Sequence, residues 1–149
     1  MLESHGLNGL AAECHEMARS KGFWNTPNGN NIGEKLMMVV GECSEAHDEY
    51  RSGHAIGLIE YEHMGAEPHT YRRTRNRLEP LGRPGENPDP EDSLVMQPGK
   101  PVGFPTELAD VIIRTLDLAS GLGIDIEEAI RIKMDYNATR PHRHGGKLV

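Results

Sequence analysis

Glu42-Cys43-Ser44-Glu45 and Glu107-Leu108-Ala109-Asp110 each place two carboxylates three residues apart. In an α-helix, residues three apart share a face, about one turn from each other. Both stretches lie in segments with apolar residues at helical spacing, so each would present its two acids side by side. Two such helices packed together would converge Glu42, Glu45, Glu107 and Asp110 on one small volume. Crowded carboxylates repel and resist desolvation, so the set is unfavourable without a cation. A hard divalent ion such as Mg²⁺ supplies that charge, and oxygen-only ligands suit it. Glu49, one turn past Glu45, extends the stripe as a further ligand or as a base that positions a water. Against this stands the commonness of acids on solvated helix faces. A pair of pairs, each beside an apolar stripe, is more specific than either pair alone.

Lys133, Asn137 and Arg140 are spaced by four and three, so they share a helical face, with Arg143 and Lys147 following. A cationic and amide stripe next to an acid-bound metal is what phosphoanhydride chemistry requires. The metal bridges phosphate oxygens and activates a water, while Lys and Arg offset the remaining charge. Cations near a helix C-terminus also complement its dipole, an account that fits Arg140 equally well. His142 and His144, in a basic tail, are a poor metal site without further ligands.

Four helices would position these groups. The first spans about residues 7–21, with Leu10, Cys14, Met17 and Ala18 at helical spacing. The second spans about 33–51, with a stripe of Leu36, Val39, Val40, Cys43, Ala46, His47 and Tyr50, and Gly53 as its stop. The third spans about 106–120, with Leu108, Val111, Ile112, Thr115, Leu116 and Ala119 on its apolar side. Pro105 stands at its entry and Gly121 at its exit. The fourth opens at Asp125, where Asp125-Ile126-Glu127-Glu128 resembles a capping box, and ends at or before Arg140 because Pro141 follows. Residues 53–103 differ in character: they hold seven of the ten prolines and little periodicity. Short runs at 57–61 and 93–96 suit strands or brief helices. A structureless loop of that length is unusual, so the segment reads as an insertion between two helices that still pack together. The expectation is an all-α four-helix bundle, one domain over residues 1–149, with a long insertion between the second and third helices.

The formal net charge of −7 argues against a general nucleic-acid-binding surface. Tyr71-Arg72-Arg73-Thr74-Arg75-Asn76-Arg77 is a local exception, readable as a partner contact or as a solvated turn. No apolar run approaches the roughly 20 residues of a membrane span. Met1-Leu2-Glu3-Ser4-His5 lacks a secretory layout. Cys14 and Cys43 are too few for a disulfide framework and read as reduced core residues of a cytoplasmic protein.

Gly41-Glu42-Cys43-Ser44-Glu45-Ala46 resembles the first acidic motif of the MazG-like superfamily, the all-α nucleoside triphosphate pyrophosphohydrolases. Glu107-Leu108-Ala109-Asp110-Val111 is similar to its second motif, and Lys133-Met134-Asp135-Tyr136-Asn137 to the Lys-Met-x-x-Asn element of its last helix. The resemblance covers about residues 5–52 and 103–147. It implies Mg²⁺-dependent hydrolysis of a nucleoside or deoxynucleoside triphosphate between the α and β phosphates, giving a monophosphate and pyrophosphate. Mn²⁺ is a possible substitute for Mg²⁺. Glu42, Glu45, Glu107 and Asp110 would be the ligands. Lys133, Asn137 and Arg140 would hold phosphates, and Glu45 or Glu49 would act on the water. Self-association as a dimer or tetramer is implied as well. His15 and Trp24 resemble base-pocket residues of the dCTP-cleaving branch, which has the same nine-residue spacing. Arg114 stands where those relatives carry a Tyr, a departure that leaves it to contact a phosphate or pair with Asp110 or Asp117. Two other functions compete: a phosphoribosyl-ATP pyrophosphohydrolase-like enzyme, and a non-catalytic helical interaction protein that binds through the insertion.

Overall fold

The computed structural model describes residues 6–25, 31–64, 71–74 and 99–141. Within them the chain forms helices α1 (Leu7–Ser20), α2 (Ile32–Arg51), α3 (Phe104–Gly121) and α4 (Ile126–Ala138). Strands β1 (Glu60–Met64), β2 (Tyr71–Thr74) and β3 (Lys100–Val102) fall between α2 and α3. The protein is mostly helical, and the four helices match those expected from periodicity. The chain divides into two compact units: Met1–Met38 with Ile112–Val149, and Val39–Val111.

In the first unit, Ala11 and Cys14 of α1 and Leu116 of α3 form a buried cluster. Leu7, Ile113 and Ile126 pack against it. The start of α4 is tied to α1 by polar groups. The Asp125 side chain caps α4, accepting from the Glu128 N–H at 3.0 Å. Asn8 of α1 donates its amide to Asp125 Oδ1 at 2.8 Å and accepts from the Glu127 N–H at 3.3 Å. Such a cap is worth about 1 kcal/mol, and here it also fixes where α4 begins.

In the second unit, β1 pairs antiparallel with both neighbours, in the order β2-β1-β3. Tyr61 faces Thr74 on one side, and Glu60 faces Val102 on the other. This sheet is what the described part of the expected insertion contains. Gly103 turns β3 into α3 with φ +113°, a conformation few side chains tolerate, and a Cβ there would lie 3.0 Å from the Leu58 carbonyl oxygen. Thr106 then donates both its N–H (3.0 Å) and its hydroxyl (2.7 Å) to the Gly103 carbonyl, which starts the helix. Residues 65–70 and 75–98 lie outside the described residues, so the run at 93–96, Arg75 and Arg77 do too. So do the tail residues His142, Arg143, His144 and Lys147.

Four sequence expectations need correcting. The stripe on α2 is not buried as a whole: Ala46 is, but Leu36, Val40, Cys43, His47 and Tyr50 are exposed. The inward face of this helix is set by Glu42 and Ala46, one turn apart, and Cys43 lies about 100° away from Glu42. Cys43 is therefore an exposed thiol and no core residue, whereas Cys14 is buried as expected. On α3, Leu116 and Ala119 are buried, but Leu108, Ile112 and Thr115 are exposed. Gly121 is the last residue of α3 and no stop; the glycine with positive φ is Gly123, at +67°. Gly121 has another use, since a Cβ there would collide with the Trp24 ring.

Candidate functional site

The second unit holds the acids. Glu42 and Glu107 are buried, at 6% and 7% exposure, although both carry carboxylates. One oxygen from each of Glu42, Glu45 and Glu107 lies within 4.8 Å of the others. Burial pushes the Glu107 carboxyl above its ordinary value of 4.5, and the charges of Glu45, Asp110 and Glu42 push it the same way. Lys100, at the start of β3, opposes them. The donors that converge here are all hard oxygens, which fits a divalent cation such as Mg²⁺. Asp110 is exposed and lies outside the set whose oxygens converge within 4.8 Å, yet near enough for its charge to act on Glu107. Glu49 is half-buried, and His54, in the turn after α2, holds its Oε2 at 2.7 Å through Nδ1.

The first unit holds a second polar constellation, centred on Asp117. Its Oδ1 accepts from Trp24 Nε1–H at 2.7 Å and meets His15 Nδ1 at 2.9 Å. Its Oδ2 faces Lys35 Nζ at 3.7 Å. The Lys35 ammonium also sits over the Trp24 ring, 3.8 Å from the centroid, a cation–π contact. His15 and Trp24 meet edge to face at 4.7 Å.

Next to this constellation is a cavity of about 270 Å³. Phe23, Glu34, Lys35, Met38, Arg114 and Asp117 line it, while neither His15 nor Trp24 is among its lining residues. Arg114 contacts Met38 Sδ through Nη1 at 3.9 Å. On α4, Lys133, Asn137 and Arg140 are all exposed. Lys133 and Arg140 flank the Tyr136 ring at 5.5 and 6.0 Å from its centroid, so those two do share a face.

Sequence reasoning missed Lys35 and His54, and saw Asp117 only as a partner for Arg114. For Asp117 a signal was present: it is a charge set between Leu116 and Leu118 in the most apolar part of α3. A charge there has to be paired. For Lys35 and His54 there was none, since both contacts depend on chain geometry.

A stretch of 36 residues, 24% of the chain, is 56% identical to part of a dATP/dGTP diphosphohydrolase of cyanophage S-2L. The match spans about a third of that protein, 34% of its length. No family model and no solved structure matches the chain. No helix among the described residues is long and apolar enough to cross a membrane.

Proposed function

We propose that this chain is a MazG-like nucleotide pyrophosphohydrolase, a single catalytic domain that cleaves a nucleoside or deoxynucleoside triphosphate between its α and β phosphates. The observation that carries this reading is the convergence of Glu42, Glu45 and Glu107 oxygens within 4.8 Å, with Glu42 and Glu107 buried. The partial likeness to a dATP/dGTP diphosphohydrolase supports the substrate class and makes dATP and dGTP the first nucleotides to test.

Glu42, Glu45, Glu107 and Asp110 would hold Mg²⁺, with Mn²⁺ as a substitute. The bound ion would supply charge for the phosphate oxygens and lower the pKa of a water. Glu45 or Glu49 orients the attacking water and takes its proton. Of the two, Glu49 is the one held by His54, at 2.7 Å. Lys133, Asn137 and Arg140 would hold phosphates, and Lys133 would stabilise charge that develops in the transition state. The protein works in the cytoplasm, where its two free thiols stay reduced. Self-association as a dimer or tetramer is part of the reading. Exposed Ile32, Leu36, Met37 and Val40 on α2, and Ile132, Met134 and Tyr136 on α4, are apolar side chains that such association would cover.

The test is a panel of canonical NTPs and dNTPs with Mg²⁺, reading pyrophosphate against orthophosphate. Pyrophosphate as first product is the expected result. Orthophosphate would mean β–γ cleavage, and no product from any nucleotide would remove the enzymatic reading.

A further inference from the structure

We infer that His54 is a positioning residue for Glu49: its imidazole holds in place the carboxylate that acts on the attacking water. The inference rests on the proposed function, and within it on Glu49 as that carboxylate. Both residues belong to the second unit, the one that holds the acid cluster. Viewed down α2, Glu49 lies only about 20° from Glu42, on the face that Glu42 and Ala46 turn inward. It stands one turn past Glu45, yet its oxygens are not among those that converge within 4.8 Å. A carboxylate on the cluster's face but outside the converging set suits work on a water better than ligation.

Glu49 needs holding because of where it sits. Its carboxylate ends a long, rotatable side chain, and it lies in the last turn of α2, which finishes at Arg51. Helix ends fray. The chain answers by turning back on itself. The Ser52 N–H donates to the Asp48 carbonyl at 2.9 Å, the Gly53 N–H donates to the Tyr50 carbonyl at 3.2 Å, and Gly53 takes φ +75°. A Cβ on Gly53 would meet nothing within 4 Å, so the backbone conformation asks for glycine and space does not. The reversal brings His54 onto Glu49, Nδ1 to Oε2 at 2.7 Å. An ionised carboxylate only accepts, so Nδ1 carries the proton of this contact.

A base works only with a lone pair aimed at the proton it takes, and a misplacement of about 1 Å can cost roughly 10²-fold in rate. The hydrogen bond from His54 supplies that aim. Glu49 is the more sheltered partner, with 18% of its side chain exposed against 39% for His54. The ring can therefore be exchanged without opening a core. A histidine just past a helix C-terminus also complements the helix dipole, a purely structural use that would show in stability and not in turnover.

The experiment measures kcat and KM for pyrophosphate release by the full chain, on the nucleotide that the wild type hydrolyses best. The variants are His54→Ala, His54→Asn, Glu49→Gln and the double change His54→Ala with Glu49→Gln. His54→Ala should lower kcat by about tenfold or more with KM within about twofold, since the aim of a base matters in the transition state. His54→Asn, whose amide N–H can stand where Nδ1 does, should recover most of that loss. In the Glu49→Gln background, His54→Ala should cost nothing further, the non-additivity of two groups that act as one. In the metal-free protein, Glu49→Gln should move the imidazole nitrogen NMR signals of His54. Unmoved signals, wild-type kcat in His54→Ala, a loss confined to its urea midpoint, His54→Asn as slow as His54→Ala, or a full further loss in the double variant overturns the inference. Near-normal turnover in Glu49→Gln overturns it too. Each of these results, with the wild type releasing pyrophosphate, leaves the proposed function intact; a wild type that hydrolyses no nucleotide removes both.

Discussion

Glu107 and Asp117 are both sheltered carboxylates of α3, ten residues apart in sequence, and their surroundings have opposite character. Around Asp117 stand an indole N–H, an imidazole and an ammonium, three groups that can answer one carboxylate. Around Glu107 stand Glu42, Glu45 and Asp110, with Lys100 the cation that opposes them. Burial alone therefore says little about function. A buried acid with its donors in place is a structural or recognition element, since it is already satisfied. A buried acid beside other acids meets repulsion, which a bound cation relieves. The two regions should answer differently to the same chemical change, and that difference can be measured.

The largest effect should come from the acids. Glu42→Gln or Asp110→Asn should abolish pyrophosphate release and leave the far-UV helical signal in place, because a repelling charge is lost and no core packing goes with it. Full activity in Asp110→Asn, with metal rigorously controlled, would discard that residue as a ligand. Next in size is Lys133→Ala, expected to lower turnover by roughly 10²-fold, the scale of one preorganised electrostatic contact. Glu49→Gln should cost at least about tenfold, within the range of a general base. Near-normal turnover there would leave Glu45 as the group that acts on the water.

Removing a carboxylate should change metal-free stability with opposite signs in the two regions. Asp117→Ala strands the Trp24 N–H and takes one partner from the Lys35 ammonium, at a cost of about 1–3 kcal/mol. Glu107→Gln relieves repulsion and should stabilise the metal-free protein. Urea midpoints in EDTA would decide; destabilisation by both changes would break the comparison.

The smallest effect is a pH slope. The folded protein holds a proton on Glu107 more tightly than the unfolded chain does, because the carboxyl is raised above 4.5. Between the unfolded and the folded values the native state binds more protons, so its stability falls as pH rises. Urea midpoints of the metal-free protein should decline as pH rises from 4.5 through the folded value, then level off. In Glu107→Gln this part of the slope should vanish. A midpoint that rises through the same window in the wild type and not in the variant would reverse the electrostatic account of the cluster.

Much of this was legible because it is local. Helical periodicity placed all four helices, and Asp125 announced its cap through the order of four neighbouring residues. The spacing of Glu42 with Glu45, and of Glu107 with Asp110, follows from helix geometry alone. Spacing could not say which side of a helix turns inward. The apolar stripe on α2 predicted one face, yet Glu42 and Ala46 are buried while Leu36 and Val40 stay exposed. Amphipathic pattern reports which residues tolerate burial, and what packs against the helix decides which of them receive it.

The sequence by itself determined the helices, the Asp125 cap of α4 and the acid pairs within single turns. The approach of Glu107 to Glu42 and Glu45, some sixty residues earlier, was decided only by tertiary structure. So was the gathering of His15, Trp24 and Lys35 on Asp117, with the bare Gly121 leaving room for the indole. The physical reason is range. Hydrogen bonds and side-chain pairs within a helix act over three or four residues and leave a period in the sequence. A contact across the fold fixes a distance but leaves no period, so it is seen only once the chain has closed on itself.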